Sequence, residues 1–405
     1  MKFSVEQILN LPGIKVLSCQ DIQGLGLIIE IQSDSKSCIC PKCGKDSYSI
    51  HQNHWRNIKD LPWSNQQVIL RINRRQFRCK NCQKLFSEDL DFVDKQRGYT
   101  KRFAIETAQQ VLDSNIRSVA EKNDLSESEI QSMLDYLESE IEIDLGKIKR
   151  LGIDEISLIK GQGNYLGVIV DLDTRKLIDI VDSRRQSEMS KALHGMGSEV
   201  LKQIEEVSID LWKPYKSLVG ELMPNADVTI DRFHVMKQVN DELDAARKQQ
   251  KKSAIALKNK REKDRILTGL LKSKYSLLKN ENSLNEKQKE KLKSVQNVSP
   301  TLSKMHSLKE DFRDIFDTAE SWGDGVIKLL DWMHDSSLYF PKTIRTIFRW
   351  FGDIVGYFER RTTSGTVEGI NNKLKLIKRL GYGFRNFANF RLRCLLSWHF
   401  SVKSP

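Results

Sequence analysis

The 405-residue chain lacks any apolar run long enough to form a membrane-spanning helix. Its first residues, MKFSVEQILNLPG, have neither the basic start nor the unbroken apolar stretch of a signal peptide. Apolar residues nevertheless make up 39% of the chain, which is too high a share for a disordered protein. We therefore expect a cytosolic protein with about two to four domains, each with its own core.

Acidic residues are fewer than basic ones. The chain has 66 Lys and Arg against 54 Asp and Glu, so its formal net charge is +12. An excess of this size favours a polyanionic partner, and nucleic acid is the commonest one. Charge alone is weak evidence, so the motifs must decide.

Cysteine is also scarce, with seven in the chain, and four of these form the C-x-x-C pairs Cys40/Cys43 and Cys79/Cys82. A reducing cytosol disfavours disulfides, and four thiolates complete the tetrahedral shell of a structural Zn²⁺. Four unrelated thiols or a redox pair are the alternatives, and Cys38 is a spare thiol that can stand in for Cys40. We predict a zinc-binding domain over residues 1–97, ribbon-like in form.

A basic strand follows the first C-x-x-C pair within that domain. The stretch ILRINRRQFR either contacts DNA phosphates or forms a solvated strand face, and its basic residues are Arg71, Arg74, Arg75 and Arg78.

Residues 98–146 have the pattern of three short helices, which indicates a helix-turn-helix DNA-binding domain. Ser126 and Glu129 form an S-x-x-E capping box at the start of the third helix. That helix is acidic, so repulsion by phosphate argues against its lying deep in a DNA groove.

The segment from residue 147 to residue 236 has the order βββαβαβ, which is typical of an RNase H-like α/β core with a mixed sheet. Residues 237–360 are charged and then aromatic-rich, and we interpret them as a helical insertion because so long a structureless loop is improbable. Residues 361–405 complete the catalytic domain. The fold class is therefore multidomain α+β.

Three aspartates occupy strand positions in this core: Asp154 in the first strand, Asp210 at the end of the fourth and Asp231 at the end of the fifth. Buried carboxylates are costly unless they are paired or bind a cation. The first and fourth strands are neighbours in such a sheet, so Asp154 and Asp210 are expected to face each other and to bind Mg²⁺ or Mn²⁺. With Glu368 from a late helix, the set can hold two metals for phosphoryl transfer. Each acid taken singly has a simpler explanation as a turn-capping residue.

The late helix is amphipathic, with Ile370, Leu374 and Ile377 on one stripe. The opposite face is either solvated or laid against DNA beside an acidic site, and it carries Glu368, Asn372, Lys375 and Arg379. Four further acids are assigned to turns or to the other face of a strand, namely Glu155, Asp171, Asp173 and Asp182.

The segments GIDEISL, VTIDRFHVMKQVN and SGTVEGINNKLKLIKRLGYGFRNFANFRLR resemble the bacterial insertion-sequence transposases of the ISL3 family. The domain order is similar too. The resemblance implies a DDE transposase that binds the terminal inverted repeats of a mobile element and cleaves and transfers double-stranded DNA with magnesium. It also implies a homodimer that acts on target DNA in the cytoplasm, at the bacterial nucleoid.

The resemblance places the first catalytic acid on Asp154 and the last on Glu368. By likeness to Mutator-type transposases, Asp210 is the second acid and Asp231-x-x-His234 is an accessory motif. Asp231 stays open as an alternative second metal ligand. The alternative functions are a metal-dependent nuclease, such as a domesticated transposase, and a DNA-binding regulator without catalysis.

Overall fold

The computed structural model describes residues 4–94, 96–157, 165–362, 365–384 and 386–400. The chain divides into two compact units, Met1–Glu142 with Ile377–Pro405 and Ile143–Leu376. None of the helices in these described ranges is both long and apolar enough to cross a membrane. The division into four domains stays a prediction.

The first unit begins with a mostly antiparallel sheet in the order β1-β2-β6-β5, with β7 paired to β6. Its apolar side includes Ile29, Ile31, Leu70 and Ile72, all of which are fully buried. A small β3-β4 ribbon carries the first cysteine pair. The elements are α1 (Val5–Leu9), β1 (Ile14–Ile22), β2 (Gly26–Ser33), β3 (Cys38–Ile39), β4 (Asp46–Ser47), β5 (Ile50–Trp63), β6 (Gln66–Arg78) and β7 (Leu85–Ser87).

Three helices follow in the same unit: α2 (Lys101–Leu112), α3 (Ile116–Asn123) and α4 (Glu127–Glu138). The side chains of Thr100, Asn115 and Ser126 cap their first turns, and the predicted capping box of Ser126 with Glu129 is confirmed. Apolar residues close the three helices into one small core.

The second unit holds a five-stranded sheet in the order β10-β9-β8-β11-β12. The first three strands pair antiparallel, whereas β8, β11 and β12 run parallel. This confirms the predicted RNase H-like mixed sheet. Its elements are β8 (Arg150–Ser157), β9 (Tyr165–Asp171), β10 (Lys176–Val181), α5 (Gln186–His194), α6 (Ser198–Gln203), β11 (Glu206–Ile209), α7 (Lys213–Leu222) and β12 (Asp227–Ile230).

One predicted helix of the core is in fact two. The stretch after β10 was expected to form a single helix, but α5 ends before Gly195 and α6 begins after Gly197. Gly197 has a φ of +96°, which only glycine adopts without strain, so the chain turns there.

Eight helices form the predicted helical insertion between β12 and the late helix. Aromatic side chains contribute to its core, where the ring of Phe312 contacts those of Phe316 and Trp332, and Phe316 stacks on Phe358. The helices are α8 (Arg232–Ile255), α9 (Lys260–Leu270), α10 (Lys274–Leu278), α11 (Glu286–Val298), α12 (Pro300–Thr318), α13 (Trp322–Asp335), α14 (Pro341–Arg349) and α15 (Phe351–Arg360).

The chain ends with α16 (Gly365–Leu380) and α17 (Phe387–His399). The apolar stripe of α16 is buried as predicted, at Ile370, Leu374 and Ile377. Leu392 and Leu396 of α17 belong to the core of α2, α3 and α4. The C-terminal helix thus packs with the helix-turn-helix, although the sequence places residues 361–405 in the catalytic domain.

Candidate active site and metal centre

The three parallel strands of the second sheet are in register where β11 and β12 end. Ile153 of β8 is paired with Ile209 of β11, and Ile209 is paired with Ile230 of β12. The next residue of each chain segment is an aspartate: Asp154, Asp210 and Asp231. Neighbouring strands lie about 4.8 Å apart. The sheet therefore presents three aspartates in one row, with Asp154 inside β8 and the other two directly after the ends of β11 and β12.

Asp210, in the middle of that row, has a pKa well above the ordinary value for aspartate. Its pKa is raised from 3.8 to about 7, first by burial and then by the negative charges of Glu155, Asp154 and Asp231, against the opposing charge of Arg184. Its Oδ1 is buried and has no hydrogen-bond partner among the described residues. A buried, unpartnered carboxylate oxygen beside other acids fits a divalent cation with oxygen ligands.

Glu155, which sequence reasoning set aside, acts electrostatically on Asp210. Its carboxylate is nearly buried and accepts a hydrogen bond from Arg184 Nη1 at 2.9 Å. The Arg184 guanidinium lies 4.5 Å from the Tyr165 ring centroid and 4.9 Å from that of Trp212. Alternation along β8 predicts that Glu155 and Asp154 point to opposite faces, yet the charge of Glu155 acts on Asp210 more strongly than that of Asp154.

Helix α16 is seated directly on β8. A Cβ added to Gly152 would lie 2.6 Å from Val170 Cγ2 and 3.0 Å from Val367 Cγ2, so only glycine leaves room for the helix. Asn371 is buried, and its Nδ2 donates a hydrogen bond to Asp154 Oδ2 at 2.6 Å. Asn371 was not predicted; its place on the buried side of the helix, next to the apolar stripe, is the signal that was available.

Glu368 is exposed on the first turns of α16, directly after Val367. It lines a cavity together with side chains of α8 and α12. Within the described ranges, no three carboxylates bring their oxygens to within 4.8 Å of one another. The register of the sheet places Asp154 beside Asp210, and the hydrogen bond of Asn371 anchors the helix of Glu368 to Asp154.

Asp231 has a local structural role. Its side chain accepts a hydrogen bond from the Phe233 backbone N–H at 2.8 Å and so caps α8. His234 Nε2 lies 3.7 Å from Asp231 Oδ2. The pair therefore stands where the sheet passes into the helical insertion, level with Asp210.

The first unit holds a four-thiol site. Cys40, Cys43, Cys79 and Cys82 all lie within 4.8 Å of one another, with the Sγ atoms of Cys40 and Cys82 3.5 Å apart. The two knuckles repeat one backbone pattern, in which the N–H of the fourth residue after Cys40 or Cys79 donates to that cysteine's carbonyl. The Lys45 backbone N–H lowers the pKa of the Cys43 thiol to about 6. This geometry fits a tetrahedral metal, and Cys38 is not a member of the set.

The four arginines predicted to contact DNA divide into two pairs. Arg75 is ion-paired with buried Glu88 at 2.7 Å, and Arg74 Nε donates to the Glu88 carbonyl. Both guanidinium groups are therefore engaged by Glu88, which follows β7, and Arg74 is buried while Arg75 is half-buried. Arg71 and Arg78 remain exposed, and Arg71 is bonded to Glu30 at 2.9 Å.

The exposed face of α16 agrees with the helical periodicity of the sequence. Asn372, Lys375 and Arg379 are all exposed, in line with Glu368. The helix thus presents one carboxylate followed by an amide and two cations along one side.

Three family models match the chain. One described as a transposase of the ISL3 type matches residues 151–394, a zinc finger of the IS204, IS1001, IS1096 and IS1165 transposases matches residues 36–82, and a helix-turn-helix domain of ISL3 transposases matches residues 88–137. The transposase of IS1001 from Bordetella parapertussis is 25% identical over 94% of both chains. The transposase of IS1557 from Mycobacterium tuberculosis is 25% identical over 86% of this chain and 82% of its own.

Proposed function

The chain belongs to the ISL3 family of transposases, and from that premise we propose that it binds the terminal inverted repeats of an insertion sequence and catalyses metal-dependent DNA cleavage and strand transfer. The observation that carries the proposal is the alignment of Asp154 in β8 with Asp210 after β11, together with the hydrogen bond that Asn371, on the helix of Glu368, donates to Asp154.

Asp154, Asp210 and Glu368 are the residues that would hold Mg²⁺ or Mn²⁺. When bound there, two such ions activate a water or a 3′-hydroxyl and stabilise the leaving oxygen of the phosphodiester. The chain's own contribution is to hold the metal-binding carboxylates in place. Asn371 orients the Asp154 carboxylate, and Arg184 fixes Glu155 and offsets part of the negative charge around Asp210.

Asp231 and His234 act as a supporting pair at the start of the insertion. The register of the sheet also keeps Asp231 as the alternative second ligand, since it lies one strand from Asp210. Alanine at His234 should reduce cleavage less than asparagine at Asp210. The reverse ranking would favour Asp231 as the catalytic acid.

The helix-turn-helix contributes DNA binding, and the four cysteines would hold one structural Zn²⁺. We propose further phosphate contacts from Arg71 and Arg78 and from the exposed side of α16, at Asn372, Lys375 and Arg379. The protein would work as a homodimer on element ends and target DNA, in association with the bacterial nucleoid.

A cleavage assay on duplexes from the flanks of the gene, with and without Mg²⁺, tests this function. Asn at Asp154 or Asp210, or Gln at Glu368, should abolish cleavage and leave repeat binding intact. Asp182→Asn is the matched control, because Asp182 is an exposed acid at the end of the same sheet. An Asp210→Asn protein that cleaves like the wild type would refute the assignment of that acid.

A further inference from the structure

A cavity of about 460 Å³ opens beside Glu368 in the second unit. Its walls come from the start of α8, the second half of α12 and the first turns of α16. The volume falls in the range of pockets that take a small organic group. The cavity is separate from the row of strand-end aspartates but shares Glu368 with the proposed catalytic set.

The cavity has an aromatic character. Phe312 and Phe316 line it as buried residues, whereas Phe233 stands at its edge with 54% of its surface exposed. The backbone of Phe233 is fixed at the start of α8 by its N–H bond to Asp231, and its ring contacts the His234 ring edge-on, with the centroids 5.6 Å apart. A half-exposed aromatic ring held next to a row of acids offers a planar group a surface on which to stack.

Unsatisfied polar atoms accompany the rings. Asn240 Oδ1 and Arg313 Nε are buried and have no hydrogen-bond partner among the described residues, and both side chains line the cavity. Buried polar groups are normally bonded to protein or water. The Asn240 amide and the Arg313 guanidinium, beside a planar aromatic wall, are groups that can form hydrogen bonds with the edge of a nucleobase.

The charge of the cavity disfavours a phosphate. Its two arginines, Arg232 and Arg313, are matched by two carboxylates, and Arg232 is already bonded to Asp317 Oδ1 at 2.8 Å. A phosphate site carries net positive charge. A neutral base, with both donors and acceptors on its edge, does not require a net positive charge in the cavity.

We propose that this cavity receives one unstacked base of the element-end DNA, next to the scissile phosphate at Glu368. The inference rests on the proposed function, since it needs DNA at Glu368. Enzymes that act on duplex DNA can draw a base out of the stack, and base–aromatic stacking then offsets the cost of unpairing. Phe233 is the stacking surface, and Asn240 is the hydrogen-bonding partner.

The test is a cycle of protein and DNA changes with the full-length protein. Cleavage rates of wild type and Phe233→Ala are measured on the element-end duplex and on a series in which each nucleotide near the cleavage site is replaced, one at a time, by an abasic residue. Phe348→Ala is the matched control, because Phe348 is 77% exposed in the same insertion and does not line the cavity. Phe233→Tyr keeps a ring and should preserve the rate.

On the intact duplex, Phe233→Ala should cleave roughly 5- to 150-fold more slowly, the range expected from one lost stacking contact. At one abasic position the two proteins should cleave at equal rates, because no base remains to be stacked. Equal loss at every position, or no loss on the intact duplex, would overturn the base-binding inference while leaving the transposase function standing. A wild type that cleaves no element end would overturn both.

Discussion

The row of acids predicts that Asp210 weakens the metal-free fold at neutral pH. Raising its pKa from 3.8 to about 7 makes ionisation in the folded protein costlier by about 4 kcal/mol. The penalty is absent below about pH 4, where the carboxyl is protonated in both states, grows as the pH rises and is complete above about pH 7. About a third of it already applies at pH 5. Partial access to solvent reduces the pH 5 to pH 8 difference to about 2 kcal/mol.

Asp210→Asn removes this penalty. Relative to wild type, the variant should therefore gain about 2 kcal/mol in free energy of unfolding between pH 5 and pH 8. The measurement is urea unfolding without added magnesium, followed by tryptophan fluorescence, to which buried Trp332 and Trp350 of the same unit contribute. Asp182→Asn should follow the wild type at both pH values, because its side chain is exposed.

Magnesium should narrow the difference in stability between the two proteins. A ligand at about 100 times its Kd stabilises the folded state by about 2.7 kcal/mol. The wild type should gain this at pH 8, and Asp210→Asn should gain clearly less because it has lost a ligand. Two results together would refute this reasoning: the stabilities of the two proteins change equally between pH 5 and pH 8, and magnesium stabilises both equally. Ionised Asp210 would then neither destabilise the fold nor bind the metal.

Three further predictions follow from the remaining contacts. Gly152→Ala places a methyl group 3.0 Å from Val367 Cγ2, so it should destabilise the fold by about 1–3 kcal/mol. Because the methyl group shifts α16, the variant should slow cleavage more than it weakens repeat binding in a gel-shift assay. An unchanged cleavage rate would contradict the packing of α16 on β8. Cys79→Ser, or chelation of zinc, should abolish repeat binding while the helical circular dichroism of the second unit persists; binding that survives would argue against a zinc-dependent domain. Lys375→Gln and Arg379→Gln should each lower the slope of log affinity against log salt by about 0.9, and an unaltered slope would remove α16 from the DNA interface.

Local sequence signals determined much of this protein. The spacing of the C-x-x-C pairs predicts the four-thiol site, because each pair needs only a short knuckle to aim two thiolates at one point. The capping box of Ser126 and Glu129 predicts the start of α4 from contacts three residues apart. Strand and helix periodicity placed Asp154 inside a strand and Asp210 and Asp231 at the ends of strands, and it predicted the mixed sheet.

Other features depend on which distant residues meet, and no local pattern encodes that. The basic strand predicted that Arg74 and Arg75 contact phosphate, yet both guanidinium groups are bonded to Glu88. Glu155 was set aside on the basis of strand alternation, but in the folded protein its charge is one of those that raise the pKa of Asp210. Asn371 lies 217 residues from the carboxylate it orients.

The sequence by itself thus determined the family, the order of the elements and the strand positions of the acids. These depend on periodicity, capping and spacing over a few residues. The tertiary structure decided the level register of the three aspartates, the seating of α16 over Gly152 and the aromatic cavity beside Glu368. Those features arise from packing between segments far apart in the chain, where steric fit and burial rather than local propensity select the partners.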